Sequence, residues 1–363
     1  MFKLKLYQAD LHYQKGIVLH TASSGAVPAL SELYLTVQNG DEVIAIGEAR
    51  ENISYLTGHS ADEVRSAVTG ICTALDWALP PEDILNQLHD MPHPVTSAPA
   101  LIDCCLHDLI ARNHNQQVCE LLGGRATESS STNQTLFWSP DAEFRELAGN
   151  YVRRGFKTLK LRVGIGRFEE DMERLQFLRT SFGADAKLSI DANGTWTTDQ
   201  AIENLSRLAP LDLDYAEQPI PPGNWDAMIK LAEVAPMPVF ADESASTRDD
   251  IQTIASLGGR VGAHLKIAKM GGIRPVFTAA RQLMEAGAPV MIGQMNEGAA
   301  ATAAAAHLSI ALGVTHRELY GADGLLNDPA EGLRYADGKL WLSGNSGLGI
   351  TLETDNLTLL WES

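Results

Sequence analysis

Basic residues are scarce in this 363-residue chain: 28 Lys and Arg stand against 46 Asp and Glu, a formal net charge of -18. That deficit argues against nucleic acid or an anionic membrane surface as a principal partner. It does not argue against an anionic small molecule, because a bound cation can reverse the local field. Cysteine is sparse as well, and none of Cys72, Cys104, Cys105 and Cys119 falls in Cys-x-x-Cys spacing. Free thiols in a reducing compartment are therefore expected. Long apolar runs are missing. The best candidate, Ala299 to Leu312, is interrupted by Thr302, His307 and Ser309 and is too short to span a bilayer. It reads as a buried, alanine-rich helix. The opening Met-Phe-Lys-Leu-Lys-Leu-Tyr alternates like a strand and lacks the apolar core and cleavage site of a signal peptide, so a cytoplasmic location with no membrane partner is expected.

What is present has the balance of a folded globular protein, 45% hydrophobic and 20% charged, with length for two domains or a barrel plus an appended module. Residues 1 to about 50 read as strands and hairpins, with a turn signal at Asn39-Gly-Asp-Glu. The segment Lys15 to Pro28, rich in Gly, Ser and Ala, is either a plain loop or a flap over a site. From Ala61 to Leu122 the pattern is helical, with Ser60 as N-cap and Gly123-Gly124 as the stop. Strand and helix then alternate. Strands are predicted at 133–138, 157–163, 187–191, 214–217, 237–241, 263–267, 288–292 and 315–319. Eight apolar runs at this spacing favour a closed barrel over an open sheet. After Asp328-Pro329 the pattern returns to strands, a tail expected to rejoin the N-terminal ones.

Three carboxylates end successive strand-like runs: Asp191 in Leu-Ser-Ile-Asp-Ala-Asn, Glu217 in Asp-Tyr-Ala-Glu-Gln-Pro and Asp242 in Val-Phe-Ala-Asp-Glu-Ser. The steps between them are 26 and 25 residues, one strand plus one returning helix, which puts all three on one face of a parallel barrel. A single Asp at a strand end is commonly a helix N-cap, and Asp191 before Asn193-Gly194 suits a turn. A shared period is not something caps require, and Glu217 before Gln-Pro is a poor cap. Three carboxylates converging in a barrel mouth repel one another unless a cation neutralises them, and all-oxygen ligation points to Mg²⁺, with Mn²⁺ as the alternative. Lys160 and Lys266, each in an apolar run, flank that mouth, and an amine near a dication has a depressed pKa. Lys157 and Lys269 read as surface residues.

These segments resemble the enolase superfamily, in its muconate cycloisomerase (muconate lactonizing) and mandelate racemase-like branch, over essentially the full length. The resemblance is carried by Ala98-Pro-Ala-Leu-Ile-Asp-Cys-Cys-Leu-His-Asp-Leu with Leu121-Leu-Gly-Gly, and by Gly155-Phe-Lys-Thr-Leu-Lys-Leu-Arg-Val-Gly. It extends through the three carboxylate strands, Leu265-Lys-Ile-Ala-Lys-Met-Gly-Gly and Glu318-Leu-Tyr-Gly. It implies a (β/α)7β TIM-like barrel at 128–328. An α+β capping domain at 1–127 would be joined by a C-terminal tail at 329–363. The implied chemistry is abstraction of the proton α to a small-molecule carboxylate, giving an enolate stabilised by a metal on Asp191, Glu217 and Asp242. Lys266 would be an acid/base, Lys160 would support the carboxylate, Asn193 would stand behind the metal ligands, and Glu318 would contact substrate oxygens. Pocket candidates are Thr135, Trp138, Met295, Glu297 and Tyr320, although packing alone accounts equally well for Trp138 and Met295. Assembly as a homo-oligomer is expected by analogy.

The chain departs from the branch at Arg162, where the second strand's Lys-x-Lys usually places its other base. Arginine is a poor proton acceptor and a good fixed cation. The substitution favours one-base cycloisomerisation or elimination over a two-base racemase or epimerase of an amino-acid derivative. It also leaves open a non-catalytic, carboxylate-binding barrel. Glu318-Leu-Tyr320, in place of the Asp-x-Asp of dipeptide epimerases, disfavours a dipeptide.

Overall fold

The computed structural model describes residues 2–15, 17–40 and 42–363. Met1 of the first strand, Gly16 of the 15–28 loop and Asp41 of the 39–42 turn lie outside the described residues. Strands Lys3–Leu11, Leu30–Asn39 and Glu42–Arg50 form an antiparallel meander, and Thr358–Glu362 from the far end of the chain pairs onto its outer edge. Of three helices, Ala61–Ala74, Pro81–Asp90 and Ser97–Asn113, the last lies on the sheet and the other two pack against it. The first begins with a capping box, Ser60 accepting from the Glu63 amide while the Glu63 carboxylate accepts from that of Ser60. The third is buried along most of its length and crosses the strand at Gly47, where a β-carbon would collide with the Leu101 carbonyl. Leu4, Leu35, Val68, Leu101 and Ile102 belong to the core of this unit.

The second core lies in and around eight parallel strands in sequential order: Gln134–Leu136, Thr158–Arg162, Lys187–Asp191, Ala216–Glu217, Val239–Ala241, Val261–Lys266, Val290–Gly293 and His316–Glu318. Each run predicted from sequence coincides with one of these strands. First and last meet across the remaining gap, since the Asn133 amide donates to the Arg317 carbonyl and the Leu319 amide to Thr132 Oγ1. The sheet thereby closes into the TIM-like barrel. Helices return the chain on the outside, including Asp141–Arg153, Phe168–Phe182, Thr198–Leu208 and Trp225–Val234.

The alanine-rich helix Ala299–Leu312 is wedged between barrel and cap, buried almost throughout. Its first amides are capped by the neighbouring unit and the tail: Ala300 and Ala301 donate to Glu48 Oε2, and Ala299 to Asp328 Oδ2. No helix among the described residues is long and apolar enough to cross a membrane.

Candidate active site

Barrel register puts the functional side chains at one level. Arg162 pairs with Asp191, Asp191 with Glu217, Lys266 with Gly293, and Gly293 with Glu318. Because side chains alternate along a strand, Lys160 and Arg162 share the inward face, as do His264 and Lys266. Asp242 follows the fifth strand directly, and Gln218 fixes it there by accepting from the amides of Asp242 and Ser244.

The mouth is a closed network of buried charges. Lys160 Nζ lies 2.8 Å from Glu217 Oε2 and 3.8 Å from Asp191 Oδ2, and it also meets Glu318 Oε2. Burial opposes that charge, yet Glu217 and Glu318 outweigh it and hold the ammonium above its ordinary range. Arg162 Nη1 is on Asp191 Oδ2, and Nη2 is 3.7 Å from Glu318 Oε1. Despite burial, Tyr320, Glu318 and Glu217 keep its guanidinium firmly charged. Lys266 Nζ donates to Asp242 Oδ2 at 2.6 Å. Burial again works against its charge, and Asp242 and Glu217 raise it. The Asn193 amide donates to Asp191 Oδ1 at 2.8 Å, and its side chain to Glu243 Oε1 at 3.1 Å.

Lys269 corrects the sequence reading. It is not at the surface but buried, donating to Asp242 Oδ1, the Asp242 carbonyl and the His264 carbonyl at 2.6, 2.6 and 2.9 Å. Its position after the sixth strand turns it back under Asp242, where three oxygens satisfy the ammonium. Asp242 therefore bridges two lysines, which hold its carboxyl below the usual range although burial pushes the other way.

The cleft over these groups is lined by Arg162, Asn193, Asp242, Glu243, Lys266, Gln294, Met295 and Asn296 from the barrel. Thr21, Ser23, Tyr55 and Leu56 come from the cap. Thr21 and Ser23 thus bring the hairpin formed by Leu19–Thr21 and Gly25–Val27 to the rim of the mouth. Of the pocket residues expected from sequence, Met295 reaches this cleft. Trp138 is half-buried with its ring edge-on to His20 of the hairpin. Thr135 and Tyr320 are buried beside the network. Glu297 accepts from the Met295 amide at 3.1 Å and lines a small space at the seam with the cap together with Glu48 and Cys104, where burial lifts its carboxyl to about 7.

Sequence reasoning missed several residues. Phe137 shares the inward parity of Thr135, and its ring lies 5.8 Å from the Arg162 guanidinium carbon. His264, two positions before Lys266, is fully buried, with Nδ1 2.7 Å from Glu217 Oε1. Burial, against the pull of Glu217, holds that imidazole below its ordinary pKa. Gln294 is buried with neither amide atom bonded. Alternation from Thr135 and Lys266 was the available signal for Phe137 and His264.

Comparisons with known proteins fit this geometry. Residues 143–356, well over half of the chain, match the family described as enolase C-terminal domain-like. N-succinyl-L-Arg/Lys racemase of Bacillus cereus is 26% identical over 360 residues, 98% of this chain and 96% of that protein. The crystal structure of N-succinyl Arg/Lys racemase from Bacillus cereus superposes with a TM-score of 0.89 at 25% identity, covering 99% of this chain and 98% of that one. Muconate cycloisomerase 1 of Rhodococcus opacus is 31% identical over 266 residues, 71% of this chain and 70% of that protein. The protein accordingly belongs to the enolase superfamily, in its muconate cycloisomerase and mandelate racemase-like branch, and is an enzyme of that superfamily.

Proposed function

We propose that this enzyme removes the proton α to a small-molecule carboxylate with Lys266 as its only base, and completes a cycloisomerisation or an elimination. The observation that carries the one-base reading is the engagement of Arg162. Its guanidinium is spread between Asp191 and Glu318 and held charged, so it anchors anions and does not accept protons. The non-catalytic alternative gives way to the superfamily membership.

The donor set fits a divalent cation among Asp191, Glu217 and Asp242. All three are buried, and Glu243 Oε2 and Glu318 Oε1 stand beside them without hydrogen-bond partners. Mg²⁺ is the expected ion, with Mn²⁺ as the alternative. Such a cation supplies counter-charge to these carboxylates and to negative charge developing on the substrate, and loosens the hold of Asp242 on the Lys266 amine.

The substrate carboxylate enters the cleft between Met295 and the 21–23 turn and meets the fixed cations of Lys160 and Arg162. Lys266 Nζ takes the α-proton, and the C–H electron pair moves onto the carboxylate. In an elimination those electrons form the Cα–Cβ double bond as the bond from Cβ to its substituent breaks and the substituent leaves with that pair. Cycloisomerisation runs this step in reverse, an internal carboxylate oxygen adding at Cβ while Lys266 Nζ delivers its proton to Cα. Because the cations stand ready before reaction, charge is stabilised without rearrangement.

Racemisation or epimerisation of an amino-acid derivative is the second reading, favoured by the likeness to N-succinyl-L-Arg/Lys racemase. Exchange in deuterium oxide separates the two. One-base chemistry places deuterium at the α-carbon in a single configuration, and label in both refutes it. Lys266→Ala is expected to abolish exchange while divalent-metal binding, followed by calorimetry, persists.

A further inference from the structure

We propose that Tyr13 and Asn296 are positioning residues, whose hydrogen bond fastens the cap to the loop after the seventh strand and so keeps the Leu19–Val27 hairpin seated at the rim of the mouth. One premise is shared with the reading above: that substrate binds in that mouth.

The hairpin has little polar hold of its own. Its bonds run between its two strands and among Thr21, Ser23 and Ser24. Among the described residues, its one hydrogen bond to the barrel is from the Trp138 amide to the His20 carbonyl, at 3.4 Å. The chain just before it is tied down instead. The Leu326 amide donates to the His12 carbonyl and the Gln14 amide to the Gly324 carbonyl, each at 2.9 Å, and Tyr13 bridges to Leu325. The Tyr13 hydroxyl donates to the Gly321 carbonyl and accepts from Asn296 Nδ2 at 2.9 Å. A single side chain of the cap thereby joins the loops that follow the seventh and eighth strands.

Asn296 is placed to carry that hold into the site. It lines the cleft, its carbonyl accepts from Arg50 Nη1 of the cap at 3.4 Å, and its Oδ1 lies 3.5 Å from the Tyr320 hydroxyl. The Tyr320 ring meets Phe137 edge-on, and Phe137 lies beside Arg162. Leu11, Leu19, Leu30, Phe137 and Tyr320 form a small apolar cluster apart from the two main cores, with Tyr13 and Val27 packed against it. Hairpin and aromatic wall therefore share one seat. Apolar contact is non-directional and lets that seat slide, whereas a hydroxyl with both a donor and an acceptor partner is satisfied in one arrangement of the three segments.

The test is amide hydrogen exchange, read by mass spectrometry on the whole protein. Tyr13→Phe keeps the ring and removes the joint. Exchange over residues 19–27 is expected to quicken by at least about fivefold, the worth of one hydrogen bond, while the barrel strands keep their rates. Asn296→Ala should do the same, and the double variant should be no faster than the quicker single, because both remove one joint. A second arm titrates the Mg²⁺-loaded protein with 2-hydroxyisobutyrate, a carboxylate that has no α-proton to lose. Its dissociation constant should rise several-fold in Tyr13→Phe with Mg²⁺ affinity unchanged, a split that mere loss of stability would not produce. Wild-type exchange in Tyr13→Phe, or equal quickening of hairpin and barrel, would overturn the positioning role and leave the proposed reaction standing. Failure of the wild type to bind the probe would count against the proposed reaction, with the joint still decided by exchange.

Discussion

Lys160 is the residue whose loss should be felt most in the folded protein. Its ammonium is fully buried and answers two buried carboxylates, Glu217 and Glu318, with Asp191 close by. Lys160→Met keeps much of the volume but strands these charges. Breaking a buried pair on one side costs about 3–5 kcal/mol, most of it the penalty for the charge left behind. Lys266 looks similar in sequence but is expected to behave differently. When Lys266→Ala removes one donor to Asp242, Lys269 still holds Oδ1 at 2.6 Å. That loss is one charged hydrogen bond, about 1.5–3 kcal/mol. The assay is urea denaturation by tryptophan fluorescence, with chelator and then with saturating divalent cation. A cation at 100 times its dissociation constant adds about 2.7 kcal/mol to either protein, and because Lys160→Met leaves the carboxylates with excess negative charge it should bind the cation more tightly, gain more, and so show a smaller deficit on loading. Equal costs for the two variants, or a Lys160→Met deficit that ignores metal, would refute the charge assignment made for this network.

Arg162→Lys restores a titratable amine to the second strand and is expected to place deuterium in both α-configurations; label confined to one would show that geometry, not the guanidinium, enforces one-sidedness. Glu297 should make stability fall with pH. Its carboxyl is raised to about 7 by burial, so its contribution is full below the unfolded value of about 4.3 and is lost as pH climbs towards 7. Glu297→Gln should flatten that slope in denaturation midpoints taken at both ends of the window, and an unaltered slope counts against it. Asp103 links cap to barrel, accepting from the Ile273 amide at the start of helix Ile273–Glu285 and bracing His89 and His107. His107 is held above its ordinary pKa by Asp103 against the effect of burial. Its contribution is present below about 6.5 and disappears as pH rises through the raised value. Asp103→Asn should lower stability and remove this dependence; retention of it would mean another group is responsible.

How much of this could be read without coordinates differs by residue. Asp191, Glu217 and Asp242 were legible because strand-end position follows from local apolar runs and their period, and the helices between them bring successive ends to one rim. Arg162 was legible as a departure, since its place relative to Lys160 is a matter of parity. Lys269 was misread because nothing local reveals that its chain turns back beneath Asp242, where only the fold supplies three oxygens to an ammonium. Glu297 was named as a pocket residue from its place after the seventh strand, but it lines the seam with the cap beside Glu48 and Cys104. Alternation from Lys266 marks His264 as inward-facing, but its bond to Glu217, two strands away, is supplied only by the fold. By itself the sequence determined the barrel, its chemistry-bearing strand ends and the cation at Arg162, all consequences of spacing and residue type. Only the tertiary structure decided which charges answer one another and which cap residues cover the mouth. Those depend on side chains far apart in sequence filling the same buried space.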